Sequence, residues 1–233
     1  TPVNDHPVIA TNKPVAIRED SSTNIVISLR DVDNPVSDVI VTAFASNTNL
    51  VSPAGLMFAG TGTNRTLTIT PRPDANGTNI IKLVADDQAG GRVTNSFVLS
   101  ILAVNDAPSF DLATNLVVVP EDARTKRLTN FVINLKRGPT NESKQTLNFS
   151  VTPTDKKFFS TQPVISPAGI LSFATATNAN GTNVLTVSLK DNGGTALGGT
   201  NQSPSLTFSL VVPPVNDPPV LTAFKPVTIR EDS

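Results

Sequence analysis

The sequence predicts an all-β protein made of two tandem β-sandwich modules and the beginning of a third. The phrase Val-Asn-Asp-x-Pro occurs at residues 3–7, 104–108 and 215–219. Its copies begin 101 and 111 residues apart, which is about the length of one small β-sandwich. Apolar and polar residues also alternate through most of the chain, as in strands that bury only one side. We therefore predict modules at residues 1–103 and 104–214, with residues 215–233 forming the linker and first strand of the next one.

Each module contains about seven predicted strands. Leu67 and Ile69 alternate with threonines in the first module, and Leu185, Val187 and Leu189 alternate with polar residues in the second. Clusters of Pro, Gly, Asn and Asp separate these runs, because such residues favour turns over strands. The turn at residues 74–79 recurs at residues 178–183. About seven strands with recurring turns is the pattern of an immunoglobulin-like Greek-key sandwich.

The two modules are not equivalent copies. Residues 215–233 match residues 3–21 at 13 of 19 positions, whereas residues 104–122 match either segment much less well. The longer period is therefore 212 residues, which we interpret as an alternating pair of module types, A and B. The chain opens within a repeated phrase and lacks a recognisable signal peptide, so we expect it to be a piece of a longer protein.

The composition argues against an enzyme and against several classes of partner. The net charge is −1, so there is no basic field for nucleic acid. No apolar run approaches the ~18 residues that membrane insertion requires. There is no Cys, and the single His6 lies in a linker, so no nucleophilic triad or small-molecule substrate site is expected. The absence of Trp and Tyr weighs against a carbohydrate-binding face.

Several acidic motifs accompany the repeated phrase in a fixed order. The phrase stands where one module ends and the next begins, and Glu-Asp pairs follow at residues 19–20 and 121–122. Residues 29–33 contain an Asp-x-Asp motif, and residues 86–91 form a late acidic, glycine-rich turn. Taken together, these motifs resemble those of bacterial cadherin-like and immunoglobulin-like tandem repeats. The resemblance covers the whole chain and implies an extracellular rod that calcium makes rigid.

The resemblance also implies which residues hold calcium, an ion that prefers carboxylate and carbonyl oxygens. Two sets are implied, one in front of the first module and one between the modules. The leading set is Asn4, Asp5, Asp31, Asp33 and Asp86. The internal set is Glu19, Asn105, Asp106 and Asp191.

The second module departs from the motif at one point. Lys136-Arg137-Gly138 occupies the place of Asp31-Val32-Asp33. Because basic side chains repel calcium, we expect the internal set to be poorer in calcium than the leading set, or free of it. The alternative is that each Asn-Asp-x-Pro phrase is only a turn, in which Asn and Asp cap backbone groups and Pro fixes φ.

Three functions remain open at this stage. The first is a passive stalk or adhesin spacer, whose contacts are the neighbouring repeats of the same chain. The second is a subunit of a self-assembling extracellular fibre, in which identical chains meet at sheet edges. The third, an accessory module of an enzyme, is disfavoured by the scarcity of aromatic residues. All three are non-catalytic and extracellular.

Overall fold

The computed structural model describes residues 3–10, 13–221 and 231. Residue contacts divide the chain into two compact units. The first consists of Thr1–Ala107, Gly138–Gln145 and Gly193–Asn201, and the second of the remaining segments. The division thus falls four residues after the predicted boundary, and two loop segments of the predicted second module group with the first unit. Within the described ranges, helical structure is limited to four short 3-10 turns.

Two four-stranded sheets form the sandwich of the first unit. One has the order β1-β3-β6-β5 and the other β2-β8-β7-β4. Strand β2 pairs with β8 in parallel, so the first strand of the module is divided between the two sheets. The strands are β1 (Val8–Ile9), β2 (Val15–Arg18), β3 (Thr23–Arg30), β4 (Ile40–Ala45), β5 (Leu56–Ala59), β6 (Asn64–Ile69), β7 (Gly77–Asp86) and β8 (Arg92–Leu102).

The second unit repeats this plan with one more interruption. Strand β10 pairs in parallel with β17, as β2 does with β8. The opposite sheet is divided into β12-β9 and β11-β15-β14. The strands are β9 (Ser109–Leu112), β10 (Leu116–Val118), β11 (Lys126–Leu128), β12 (Val132–Lys136), β13 (Leu147–Pro153), β14 (Phe159–Ile165), β15 (Leu171–Thr175), β16 (Gly181–Asp191) and β17 (Leu206–Val212).

The interruption in the second unit lies between β11 and β12. Asn130 there has a φ of 55°, in the left-handed region that no regular strand uses but that Asn tolerates better than most residues. Merging the divided strands leaves seven per unit, as the sequence predicts.

Each unit buries its own core. The alternating residues Leu67 and Ile69 of β6 and Leu185 and Val187 of β16 are at most 1% exposed. The all-β, immunoglobulin-like and cadherin-like fold class predicted from the sequence is therefore confirmed. The predicted linker and first strand of a third module span residues 215–233, of which 222–230, 232 and 233 lie outside the described residues. Among the described residues, none of the helical segments is long and apolar enough to span a membrane.

Candidate metal-binding tips

The side chain of Glu19 is hydrogen-bonded to the chain where it leaves the first unit. We call this arrangement the carboxylate latch. Glu19 directly follows β2, is 3% exposed, and accepts a hydrogen bond on Oε1 from the backbone N–H of Val104 at 2.6 Å. Its Oε2 accepts a second from Asn76 Nδ2 at 3.0 Å. The Glu19 N–H also donates to the Leu102 carbonyl at 2.9 Å. One buried carboxylate therefore ties the end of β2, the turn before β7 and the departing chain together.

The second unit carries the same latch. Glu121 accepts hydrogen bonds from the Val215 N–H at 2.6 Å and from Asn180 Nδ2 at 3.0 Å. These bonds, with that from Asn180 the stronger influence, hold the pKa of Glu121 below its ordinary value. The Glu-Asp pairs at residues 19–20 and 121–122 thus have a shared structural role.

The aspartate after each latch glutamate holds the facing turn. Asp20 Oδ1 accepts from the Asp74 N–H at 2.9 Å, and Asp122 Oδ1 accepts from the Asn178 N–H at 3.0 Å. All four of these residues have φ between 54° and 56°, a left-handed conformation that Asp and Asn tolerate. The units therefore match in backbone here and differ in one side chain, Asp74 against Asn178.

That difference gives the first unit a three-carboxylate cluster. Asp20, Asp74 and Asp106 each offer an oxygen within 4.8 Å of the others. It is the only group of three or more such ligands found in residues 3–10, 13–221 and 231. We call Glu19, Asp20, Asp74, Asn76 and Asp106 the trailing tip of the first unit.

Asp106 is the electrostatically unusual member of the trailing tip. Its Oδ2 atom is buried and has no hydrogen-bond partner among the described residues. Desolvation, followed by the charges of Asp20, Asp74 and Glu19, raises the pKa of Asp106 above its ordinary value. A cation would relieve both conditions, since it would supply the missing partner and offset the crowded negative charge. The donor set therefore suits calcium, which binds carboxylate oxygens.

The opposite set of predicted ligands forms the leading tip of the first unit. Asn4 Nδ2 donates to Asp87 Oδ2 at 2.8 Å, and Asn4 Oδ1 accepts from Asn34 Nδ2 at 2.8 Å. The Asp5 N–H donates to Asp33 Oδ2 at 2.6 Å. Four predicted residues are thus brought to one tip, together with two that were not predicted. The leading tip comprises Asn4, Asp5, Asp31, Asp33, Asn34 and Asp87.

Asp31 organises the Asp-x-Asp motif of the leading tip. Its Oδ1 accepts from the N–H groups of Asp33 at 3.0 Å and Asn34 at 2.8 Å, which is an Asx-type turn. Its Oδ2 is buried without a hydrogen-bond partner in the part of the chain that the structure describes. One oxygen therefore shapes the turn, and the other is left for a ligand.

The carboxylate that reaches Asn4 is that of Asp87, next to the predicted Asp86. Side chains alternate along a strand, so neighbours point to opposite faces. Asp87 is 3% exposed and accepts from the N–H groups of Ala89 and Gly91 at 2.8 Å each. Asp86 accepts from the Gln88 N–H at 2.9 Å and follows the outward-facing residues of β7. The hydrogen bond from Asn4, with smaller help from the two N–H groups, lowers the pKa of Asp87.

The remaining predicted ligands are held by protein groups. Asn105 Nδ2 donates to the Thr200 carbonyl at 2.7 Å, and Asn105 Oδ1 accepts from Gln145 Nε2 at 2.6 Å. The Asp106 N–H donates to Glu142 Oε1 at 2.9 Å. All of these residues lie in the first unit. Asp191, at the end of β16, is 5% exposed and belongs to the second unit.

Sequence reasoning missed several residues of these sites, namely Asp20, Asn34, Asp74, Asn76, Asp87 and Glu142, and three of them show which signals were available. Asp74 lies in the recurring turn at residues 74–79, so its alignment with Asn178 was a usable signal. Asp87 aligns with the predicted Asp191. Applying the same alignment to the first module would therefore have predicted Asp87 instead of Asp86. Glu142 lies in an insertion of the second module with no counterpart in the first, and nothing in the repeat pointed to it.

Comparison with known proteins supports the sequence-based family resemblance. Residues 4–100 match the model of a family described as bacterial Ig domain. The chain is also similar to two crystal forms of human protocadherin-24 EC1-2. The first has 15% identity, 93% coverage of this chain, 100% of that chain and a TM-score of 0.53. Form II has 16% identity, coverages of 90% and 99%, and a TM-score of 0.57.

A third similar structure is mouse cadherin-23 EC22-24, at 16% identity and a TM-score of 0.50, with 92% of this chain and 68% of that chain covered. At these identities the likeness concerns the fold alone. No match was found among curated proteins. The predicted resemblance to bacterial cadherin-like and immunoglobulin-like repeats is confirmed. Such domain families are generally structural and non-enzymatic.

Proposed function

We propose, from the premise that the chain carries bacterial immunoglobulin-like and cadherin-like repeats, that it is a non-catalytic structural segment of a large extracellular surface protein. Its role is that of a stalk or spacer. The observation that carries this proposal is the carboxylate latch. Glu19 and Glu121 fasten the departing chain in the same way in both units, at 2.6 Å to the N–H of Val104 and Val215. A hydrogen-bonded carboxylate that recurs where the chain leaves each unit is suited to a module that is covalently followed by another module.

Electron microscopy of the native protein tests this role. A stalk predicts beaded rods, single or laterally paired, that project from a cell surface. Ordered helical filaments built from many chains would contradict it and favour the fibre subunit instead. Cell fractionation with surface protease treatment checks the location, because a surface stalk is cleaved on intact cells.

We further propose that calcium binds the trailing tip of the first unit. Asp20, Asp74 and Asp106 would hold the ion, with Glu19 close enough to add to the field. Calcium supplies positive charge and a stable coordination shell there, and so stiffens the chain where it follows β8. The leading tip, with Asp31 Oδ2 directed to no protein donor among the described residues, is a second candidate.

This proposal changes the order expected from the sequence. The leading set was expected to be the richer one, yet the three-carboxylate cluster includes Asp106 of the internal set. Two of its members, Asp20 and Asp74, lay outside the predicted ligands. The basic residues Lys136 and Arg137 occupy the Asp-x-Asp position of the second module, but all three clustered carboxylates come from the first unit.

Thermal melting with and without millimolar calcium tests the metal proposal. A bound ion stabilises the folded state by mass action, so the melting temperature rises with calcium concentration. Magnesium serves as the matched control, because it demands a smaller octahedral site. No shift with calcium, together with no calcium in elemental analysis of native protein, would reject the site and leave the structural role untouched.

A further inference from the structure

The outer face of the β2-β8-β7-β4 sheet carries an exposed apolar patch. Ile40 and Phe44 of β4 are each 51% exposed, Ile80 of β7 is 50% exposed and Val98 of β8 is 40% exposed. Solvent-facing sides of antiparallel sheets are normally polar, so apolar side chains on three neighbouring strands are unusual. We call these four residues the outer patch.

Three charged side chains lie on the same face as the outer patch: Lys82, Asp86 and Arg92. Ile80, Lys82, Val84 and Asp86 alternate along β7 and therefore share one side of the sheet. Phe44, Lys82 and Ser96 form one row across the strands, and Ile40, Asp86 and Arg92 form another. The row Thr42, Val84 and Thr94 lies midway between them.

This arrangement is self-complementary about the middle row. We infer that the outer patch binds the same face of a second copy of this chain, about a two-fold axis that runs along the Thr42–Val84–Thr94 row. The rotation sets Lys82 against Asp86 of the second copy, and Phe44 against Ile40 of the second copy, twice each. Isologous pairing of this kind is the usual symmetry of protein dimers. An axis along the Lys82 row would instead oppose two lysines, which disfavours it.

The second unit keeps one of the four apolar side chains at corresponding positions, Val184 in place of Ile80. The buried Asn79 and Asn183 fix the alignment, because each accepts a bond from the hydroxyl of Ser46 or Thr154 after the edge strand. On that alignment Asn148 and Thr152 replace Ile40 and Phe44, and Thr186 and Lys190 replace Lys82 and Asp86. Both the apolar contacts and the charge pairing are therefore specific to the first module type.

The size of the patch indicates a weak contact that repetition strengthens. Half-exposed side chains of this kind offer roughly 100 Å² each, so Ile40 and Phe44, which this axis pairs, offer roughly 200 Å². A standard stable interface buries about 800 Å² on each partner. In an array that repeats the first module type every 212 residues, many such contacts act together and avidity multiplies them. The inference rests on the proposed function as a segment of a repeat array, and it identifies a second copy of the chain as the partner. It does not depend on calcium.

A single engineered thiol tests the axis directly. The natural chain has no cysteine, and Thr42 is exposed on the middle row of an edge strand, where it faces Thr42 of the second copy. The full chain with Thr42→Cys, kept in a calcium chelator, should form disulfide dimers under mild oxidation at least tenfold faster than a control with Val26→Cys. Val26 is 58% exposed on the other sheet of the same unit. Equal rates for the two variants would overturn the inference.

Charge-reversal variants distinguish cross-linking through this specific pairing from cross-linking through random encounters of two chains. In the Thr42→Cys background, Lys82→Asp or Asp86→Lys alone should slow cross-linking about tenfold, because each opposes like charges twice. The double variant Lys82→Asp/Asp86→Lys should restore the rate, and a mixture of the two single variants should cross-link with each other. Phe44→Thr, which copies Thr152, should also slow the reaction. If the double variant stays as slow as the single ones while melting normally, the proposed axis is wrong. Failure here leaves the stalk role, tested by microscopy, unaffected.

Discussion

The trailing tips of the two units have the same backbone and the same latch, and they differ in one side chain. Glu19 and Glu121 each bind a departing N–H, and Asp20 and Asp122 each cap the facing turn. The capped residue is Asp74 in the first unit and Asn178 in the second. The exchange of one carboxylate for an amide leaves the turn intact and removes one negative charge. In the proposed calcium site, Asp74 is thus the member that the second unit lacks, whereas the capping aspartate is present in both units.

The largest change in the free energy of unfolding is expected when the latch is removed. Glu19→Ala leaves the Val104 N–H and Asn76 without their buried charged acceptor, so the free energy of unfolding of the first unit should fall by about 2–3 kcal/mol. Urea denaturation measures the loss. Glu121→Ala is the matched control and should cause a smaller loss, because Glu121 is less buried than Glu19. Equal losses in the two units would show that burial does not distinguish the latches.

The next effect concerns the side chain that differs. Asp74→Asn gives the first unit the trailing tip of the second, and calcium affinity should fall roughly tenfold as one carboxylate ligand is lost. Asn178→Asp makes the reciprocal change in the second unit. Isothermal titration calorimetry measures both variants. The latch hydrogen bonds do not involve the side chain of residue 74, so the melting temperature without calcium should not fall. Unchanged calcium affinity in Asp74→Asn would remove Asp74 from the site.

A third prediction follows from the raised pKa of Asp106. Protons and calcium compete for this carboxylate, so calcium affinity should weaken on acidification at a higher pH than for an ordinary aspartate. Without calcium, acidification has a stabilising effect on the fold through Asp106. The folded state binds this proton more readily than the unfolded state, so Asp106 adds stability as the pH falls through its folded pKa. Carbon-detected NMR of the side-chain carboxyl follows the titration, and an ordinary midpoint would contradict the crowding argument.

The smallest effect is expected at the leading tip. Asn4→Ala removes the strongest cause of the lowered pKa of Asp87, so that pKa should rise toward its ordinary value. The stability that Asp87 contributes is present above its unfolded pKa and is lost as the pH falls through its folded pKa. In the variant this contribution should therefore be smaller, and its loss on acidification should be complete at a higher pH than in the natural chain. NMR titration of Asp87 checks this, and an unmoved midpoint would assign the shift to the Ala89 and Gly91 N–H groups.

The fold was predictable because its signals are periodic. Alternating residues such as Leu67 and Ile69 specify the buried faces, and the repeated phrase gives the module length. The broken strand before Val132 was not predictable, since Asn130 can also occur in an ordinary turn. Asp86 and Asp87 point in opposite directions, and only the alignment of Asp87 with Asp191 of the second unit distinguishes them in the sequence. Asp20, Asp74 and Asp106 are far apart in the sequence, and only the pairing of β2, β7 and β8 explains their meeting.

Crystallography with anomalous scattering tests the central claim most directly. Crystals of the chain grown with calcium, or soaked with a lanthanide in its place, should show an anomalous peak among the carboxylates of Asp20, Asp74 and Asp106. Calcium–oxygen distances there should be about 2.3–2.6 Å. The corresponding place in the second unit, beside Asp122 and Asn178, should show none. A peak at both tips, or at neither, would contradict the account that one carboxylate separates them.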